Sequence, residues 1–349
     1  MFQGWELLLK THDVQGILLH SRYMKGYVGG LFSDSGWVLI TENKRIMWVD
    51  GRYYEMMKQK NRDFELYLIE NEEAFFKDLK SKLEKKGIKR LGVEFQLGIG
   101  TCQMIEKFID TRLVPIKLEG IRQIKNQVEI DKIHRAAAVG DRVYRDLKAW
   151  IKPGISEKDI AGKIYQLVFQ HGGDQVSFEP VVVSGERGAM PHGKPSDKKI
   201  AEGELLTMDF GVVYQGYCSD MTRTIKLGKV SPELEHIFEV VNAARAKGIQ
   251  SVKAGIRACE VHEAVSRVIE ENAYGNYFSH GTGHGVGLQV HEAPIINAES
   301  EALLEEGMII TIEPGIYIPG LGGVRIEDMV LVGQSAGLLL TQSEREGGI

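Results

Sequence analysis

The chain of 349 residues repeats itself. KPGI at 152–155, followed by Asp159, recurs 101 positions later as KAGI at 253–256, followed by Glu260. GELLTMDFG at 203–211 recurs 104 positions later as GMIITIEPG at 307–315. A repeat constrains a fold more than any single residue does, because both copies must solve the same packing problem. Each copy reads as helix, turn, helix, then strands. Ser156 with Asp159 forms a capping-box pattern, Ser231-Pro232-Glu233 marks a helix start, and Gly275 follows a helix expected over 258–274. The predicted architecture is a pair of facing α-α-β units, each with an acidic residue at the same place in its first long strand.

The region before the repeat has a different texture. GILL (16–19), GWVLIT (36–41), RIMWVD (45–50) and ELYLIE (65–70) have strand character, and NEEAFFKDLKSKLEKKG (71–87) is helical. That composes a small α/β domain over residues 1–120, with residues 121–349 as the second domain. The second opens on a helix carrying Ile130, Ile133, Ala137, Tyr144, Leu147 and Ile151 at three-and-four spacing.

In ELLTMDFGVVYQGYCSDMTRTIKL, Asp209 and Asp220 lie on two strands joined near Tyr214 to Gly216. A Tyr214-Gln215 loop sets the two carboxylates directly opposite, and a Gln215-Gly216 loop sets them diagonally on the same face. Either arrangement brings like charges within roughly 5–8 Å, a conflict that a cation or a shared proton resolves. One such pair alone reads as acids flanking a turn. The second copy changes this, because MIITIEPG ends a strand on Glu313, and GGVRIEDMVLV opens another with Arg325 and Glu327 on one face and Asp328 on the other. Four acids, Asp209, Asp220, Glu313 and Glu327, then converge. HGTGHGVG supplies His280 and His284, and its alternating glycines favour extended backbone over helix. Neither GxGxxG nor GxxxxGK[ST] fits it, so a nucleotide loop is excluded. His192 in MPHGKP and His291 in VHEAP are unremarkable alone.

Composition narrows the class. A net charge of -5 without a dense Lys/Arg block argues against nucleic acid as a partner. Three scattered cysteines, Cys102, Cys218 and Cys259, offer neither a disulfide framework nor a CxxC metal site. No apolar run is long enough to span a membrane. Acidic Glu6 beside the short N-terminal apolar patch argues against a secretory signal, which predicts a cytoplasmic protein.

MDFG (208–211), SDMTRT (219–224), HGTGHGVGLQVHEAP (280–294), IEPGIY (312–317) and GVRIED (323–328) stand in an order that resembles the proline-directed metallopeptidases of the pita-bread fold, prolidase and aminopeptidase P. The first domain resembles that family's creatinase-like N-terminal domain. The resemblance implies two divalent ions held by Asp209, Asp220, His284, Glu313 and Glu327, with Asp220 and Glu327 bridging. It implies that His192, His280 and His291 line the substrate site, with Arg325 supporting Glu327 and the substrate. Glu313 is implied as the proton relay, and His291 or His192 as a hydrogen-bond donor to the intermediate. An oxygen-rich shell with one imidazole suits manganese, with cobalt or zinc as substitutes. Short proline-containing peptides are the implied substrates, a dipeptidase slightly preferred over an aminopeptidase, and a homodimer the implied assembly. A methionine aminopeptidase would not be expected to carry the Arg-x-Glu-Asp of 325–328. A creatinase-like hydrolase or a non-enzymatic peptide-binding module would be expected to lose ligands.

Overall fold

The structure is a computed structural model that describes residues 3–60, 63–345 and 348. The chain divides into two compact units, Met1–Ile121 and Arg122–Ile349.

In the first unit six strands form one sheet, in the spatial order Glu65–Leu68, Arg45–Val49, Trp37–Thr41, Gly16–Leu19, Arg90–Glu94, Arg112–Ile116. Gly16–Leu19 runs antiparallel to Trp37–Thr41 and parallel to Arg90–Glu94. The two-residue period sends Ile17 and Leu19 into one core with Trp5 and Met47, and Leu18 into another with Trp48, Phe75 and Phe76. Apolar side chains therefore leave both faces of the sheet, and helices cover both. The helix Glu72–Lys85 is capped by Asn71, whose side chain accepts from Ala74 N at 2.9 Å. It buries Phe75, Phe76, Leu79 and Leu83, and each such side chain contributes about 1.5–3 kcal/mol.

The second unit contains the repeat, visible in its backbone hydrogen bonds. Glu157 N donates to Lys198 O and Lys158 N to Ser196 O; Ala258 N donates to Ala302 O and Cys259 N to Ser300 O. Helices Gln127–Trp150 and Glu157–Gln170 close one core, around Ile160, Leu206 and Phe210. Helices Pro232–Ser251 and Ala258–Glu271 close the other, around Val265, Ile310 and Ile312. Ser156 and Asp159 make the expected capping box, and Ser231 caps the third helix. The first helix begins earlier than its apolar period indicates, because Asn126 and Glu129 form a further capping box, worth about 1 kcal/mol.

The central strands are Leu205–Phe210, between Val181–Ser184 and Met221–Lys226, and Ile309–Ile312, between Gly283–Gly285 and Asp328–Val332. Two details differ from the expected pattern. GGVRIEDMVLV is two strands: Gly322–Arg325 pairs with Gly315–Ile318, while Asp328–Val332 pairs with Ile309–Ile312. The chain changes sheets at Ile326 and Glu327, whose amides donate to Pro314 O and Thr222 O. The fourth helix stops at Glu271, and Gly275 opens a 3-10 turn through Tyr277.

Candidate metal centre

Tyr214 pairs with Tyr217, so the hairpin turns on Gln215 and Gly216, whose φ angles of 49° and 84° meet the demand of a tight two-residue turn. The register continues past this turn: Met221 pairs with Phe210 and Thr222 with Asp209. Asp220 consequently falls opposite Gly211 and diagonal to Asp209, the second of the two loop alternatives. A Cβ at Gly211 would lie 1.9 Å from Ser219 O, which explains the glycine between the two acids.

Facing this hairpin, Glu313 follows directly on the strand Ile309–Ile312, and Glu327 sits where the chain changes sheets. His284 lies in the short strand Gly283–Gly285. That strand passes so close to its neighbour that a Cβ at Gly283 would meet Thr311 O at 2.0 Å. Ligand atoms of Asp220, His284 and Glu327 all lie within 4.8 Å of one another. His284 Nε2 is 3.6 Å from Asp220 Oδ2 and 3.4 Å from Glu313 Oε1.

The donor set fits a cation. Asp209 Oδ1, Asp220 Oδ1 and Glu327 Oε1 are buried without a hydrogen-bond partner, a costly state unless something positive meets them. His284 Nδ1 lies 3.0 Å from Gly285 O, which leaves Nε2 free to act as a ligand. Burial, then the neighbouring His291, holds the His284 pKa down at about 4, so the ring is neutral. Burial also raises Glu313 to about 7. Asp220 is pushed well above the usual carboxylate range by burial and by repulsion from Glu327, Asp209 and Glu313. Glu327 is raised by burial and by Glu313 and Asp209.

Arg325 is the guanidinium among these acids. Its Nη2 donates to Asp209 Oδ2 at 2.7 Å, its Nε to Thr222 Oγ1 at 3.1 Å, and its Nη1 to Pro191 O at 3.0 Å and Tyr317 OH at 2.9 Å. It thus braces Asp209 directly and reaches Glu327 only through Thr222, whose hydroxyl donates to Glu327 Oε2 at 2.7 Å. Asp328 points the other way, to Arg223, Arg245 and Arg345. His280 Nε2 lies 2.8 Å from Tyr317 OH. The His291 ring stands edge-on to His284 at 4.3 Å. His192 is exposed. Cys218, pushed up to about 12 chiefly by burial, is no nucleophile.

Three polar partners escaped the reading of the sequence: Thr222, Thr311 and Tyr317. Thr311 Oγ1 accepts from His284 N at 3.1 Å and donates to Glu313 Oε1 at 3.3 Å. The repeat already carried a signal for it, since Thr207 and Thr311 each stand two residues before an acid.

The sequence matches the description Metallopeptidase family M24 over residues 131–334 and Creatinase/Prolidase N-terminal domain over residues 6–124. The chain belongs to metallopeptidase family M24. It is 38% identical over 342 residues to an Xaa-Pro dipeptidase of Pyrococcus horikoshii, covering 97% of this chain and 95% of that one. Its structure is similar to an Xaa-Pro dipeptidase from Bacillus anthracis, with TM-score 0.95 and 35% identity, covering 99% and 98% of the two chains. It is also similar to an X-Pro aminopeptidase from Thermotoga maritima, with TM-score 0.91 and 30% identity, covering 97% and 98%. Membership in the family makes the chain a peptidase dependent on divalent metal. Among the described residues no helix is long and apolar enough to cross a membrane.

Proposed function

We propose that this M24 enzyme cleaves the bond before proline at the N-terminus of short peptides, using two divalent ions, manganese by preference and cobalt or zinc as substitutes. Asp209, Asp220, His284, Glu313 and Glu327 would hold the ions. The observation that carries the metal assignment is that Asp220 and Glu327, each with a buried, unpartnered carboxylate oxygen, place ligand atoms within 4.8 Å of each other and of the neutral His284 ring. The preference for proline is supported by the relatives, Xaa-Pro dipeptidases and an X-Pro aminopeptidase.

When bound, the ions lower the pKa of water and neutralise negative charge that develops at the scissile carbonyl. The protein's own groups do the rest. Glu313 would carry a proton to the leaving proline nitrogen. His291 and His192 face the substrate as hydrogen-bond partners for the tetrahedral centre. Tyr317, held at about 12 by burial, stays protonated and joins His280 to Arg325.

A dipeptidase is the leading reading, since dipeptidases stand among the most similar relatives. One observation favours an aminopeptidase. Arg325 is the cation whose charge acts on Asp220, Glu313 and Glu327, and all three of its nitrogens already have partners. A free proline carboxylate would have to displace one of them. Cleavage of an Xaa-Pro dipeptide beside an Xaa-Pro-Yaa tripeptide, both with manganese, decides this: the higher kcat/KM names the class. Chelation should abolish both activities, and full activity in protein shown by elemental analysis to be metal-free would end the proposal. A homodimer is the proposed assembly, from the likeness of the first unit to the Creatinase/Prolidase N-terminal domain. Light scattering at about 39 kDa would reject it. Free Cys102, Cys218 and Cys259 are consistent with a cytoplasmic location.

A further inference from the structure

Glu157, the first residue of the helix Glu157–Gln170, is fully buried, yet it belongs to neither helix packing nor the metal centre. Its carboxylate closes a loop. Oε1 accepts from Ser184 N at 2.8 Å and Ser184 Oγ at 3.0 Å; Oε2 accepts from Ser196 N at 3.0 Å, Ser196 Oγ at 2.7 Å and Arg187 Nε at 3.0 Å. Ser184 and Ser196 are the two ends of the segment that carries His192. The middle of that segment is tied separately to the centre, where Pro191 O accepts from Arg325.

The repeat provides an internal control. Ser156 and Asp159 correspond to Arg257 and Glu260, the carboxylate accepting from the backbone amide three residues earlier in each copy, so Glu157 corresponds to Ala258. Ala258 is also fully buried, and its amide bonds Ala302 O as the Glu157 amide bonds Lys198 O. The α-α-β unit therefore packs at this position with a methyl group. The carboxylate serves the first copy's own segment 184–196: the counterpart in the second copy, residues 285–300, bears His291 and is fastened instead by its strand Glu292–Ile296, which pairs with Gly283–Gly285.

From this we infer that Glu157 is a positioning residue for the reaction, clasping both ends of residues 184–196 so that His192 is presented to the substrate. The inference rests on His192 facing the substrate, as read above. Glutamine in its place keeps the shape but offers an amide nitrogen that cannot accept a hydrogen bond, so one pair of serine donors is stranded.

The test is a double-mutant cycle with manganese on an Xaa-Pro dipeptide, measuring kcat, KM and bound metal for the wild type, Glu157→Gln, His192→Ala and the double variant. Glu157→Gln should lower kcat/KM about tenfold to a hundredfold at unchanged metal content. In the His192→Ala background the same change should cost less than about twofold, since the two residues act as one unit. Equal losses in both backgrounds, or loss of metal from Glu157→Gln, would overturn the inference and leave Glu157 a purely structural residue. His192→Ala at wild-type kcat/KM would instead overturn the reading of His192, and the inference with it. Should Glu157→Gln fail to fold, Ser196→Ala removes one hydroxyl donor and leaves the carboxylate. It should show a smaller loss, again absent once His192 is gone, and additivity there is equally decisive against the inference.

Discussion

Removing the charge of Glu313 should stabilise the protein when metal is absent. Burial raises this carboxyl from 4.5 to about 7. It therefore holds its proton more tightly folded than unfolded, and the stability it contributes is present below pH 4.5 and lost as pH rises through about 7. At about 1.36 kcal/mol per pH unit the loss is about 3 kcal/mol. Its side chain is 19% exposed, so about 2–3 kcal/mol is the working figure. In metal-free Glu313→Gln there is no charge to desolvate. The variant should exceed the metal-free wild type by that amount at pH 8, and the two should coincide below pH 4.5. His280 and His284, both depressed to about 4, act in the opposite direction: their contribution is present above 6.5 and lost as pH falls through about 4. They are common to both proteins and cancel in the difference. Urea unfolding after exhaustive chelation, repeated from pH 4.5 to pH 8, measures it. Manganese should reverse the order at pH 8, because the wild type then regains a ligand that the variant lacks. A variant no more stable than the wild type at pH 8 without metal, or a difference that does not vary with pH, would refute the argument.

Thr222→Val, which removes the donor to Glu327 and the acceptor of Arg325 Nε, should weaken metal binding or activity about tenfold. Thr222→Ser should recover most of it; metal titration and kcat/KM report both. Asp220→Asn should lose metal together with rate, which elemental analysis checks against a wild-type control. His291→Ala should keep its metal while kcat falls on the order of 100-fold. A variant stripped of metal would show that His291 is a ligand.

The hairpin illustrates how far local rules carry. Asp209 and Asp220 were legible as a same-face pair because strand alternation depends only on backbone geometry. Which of two registers holds was not, since it turned on whether Gln215 or Tyr214 led the loop; Gln215 and Gly216 take positive φ in the structure. The break between Arg325 and Asp328 was equally hidden. GGVRIEDMVLV alternates like one strand, and only its two different partners, Gly315–Ile318 and Ile309–Ile312, divide it. Asn126 could have been read as a cap from the Asn-x-x-Glu spacing alone.

What the sequence determined by itself is whatever depends on near neighbours or on self-similarity: the helices and caps, the α/β texture of the first unit, the duplicated α-α-β plan, and the acids at matching strand positions. What only the tertiary structure decided is which atoms share their charge. Arg325 braces Asp209 across 116 residues, Thr222 joins Arg325 to Glu327, and Glu157 ties together Ser184 and Ser196. Hydrogen bonds act over about 3 Å, so partners that far apart in sequence leave no periodic trace in it. They exist only once helices, strands and loops have packed together.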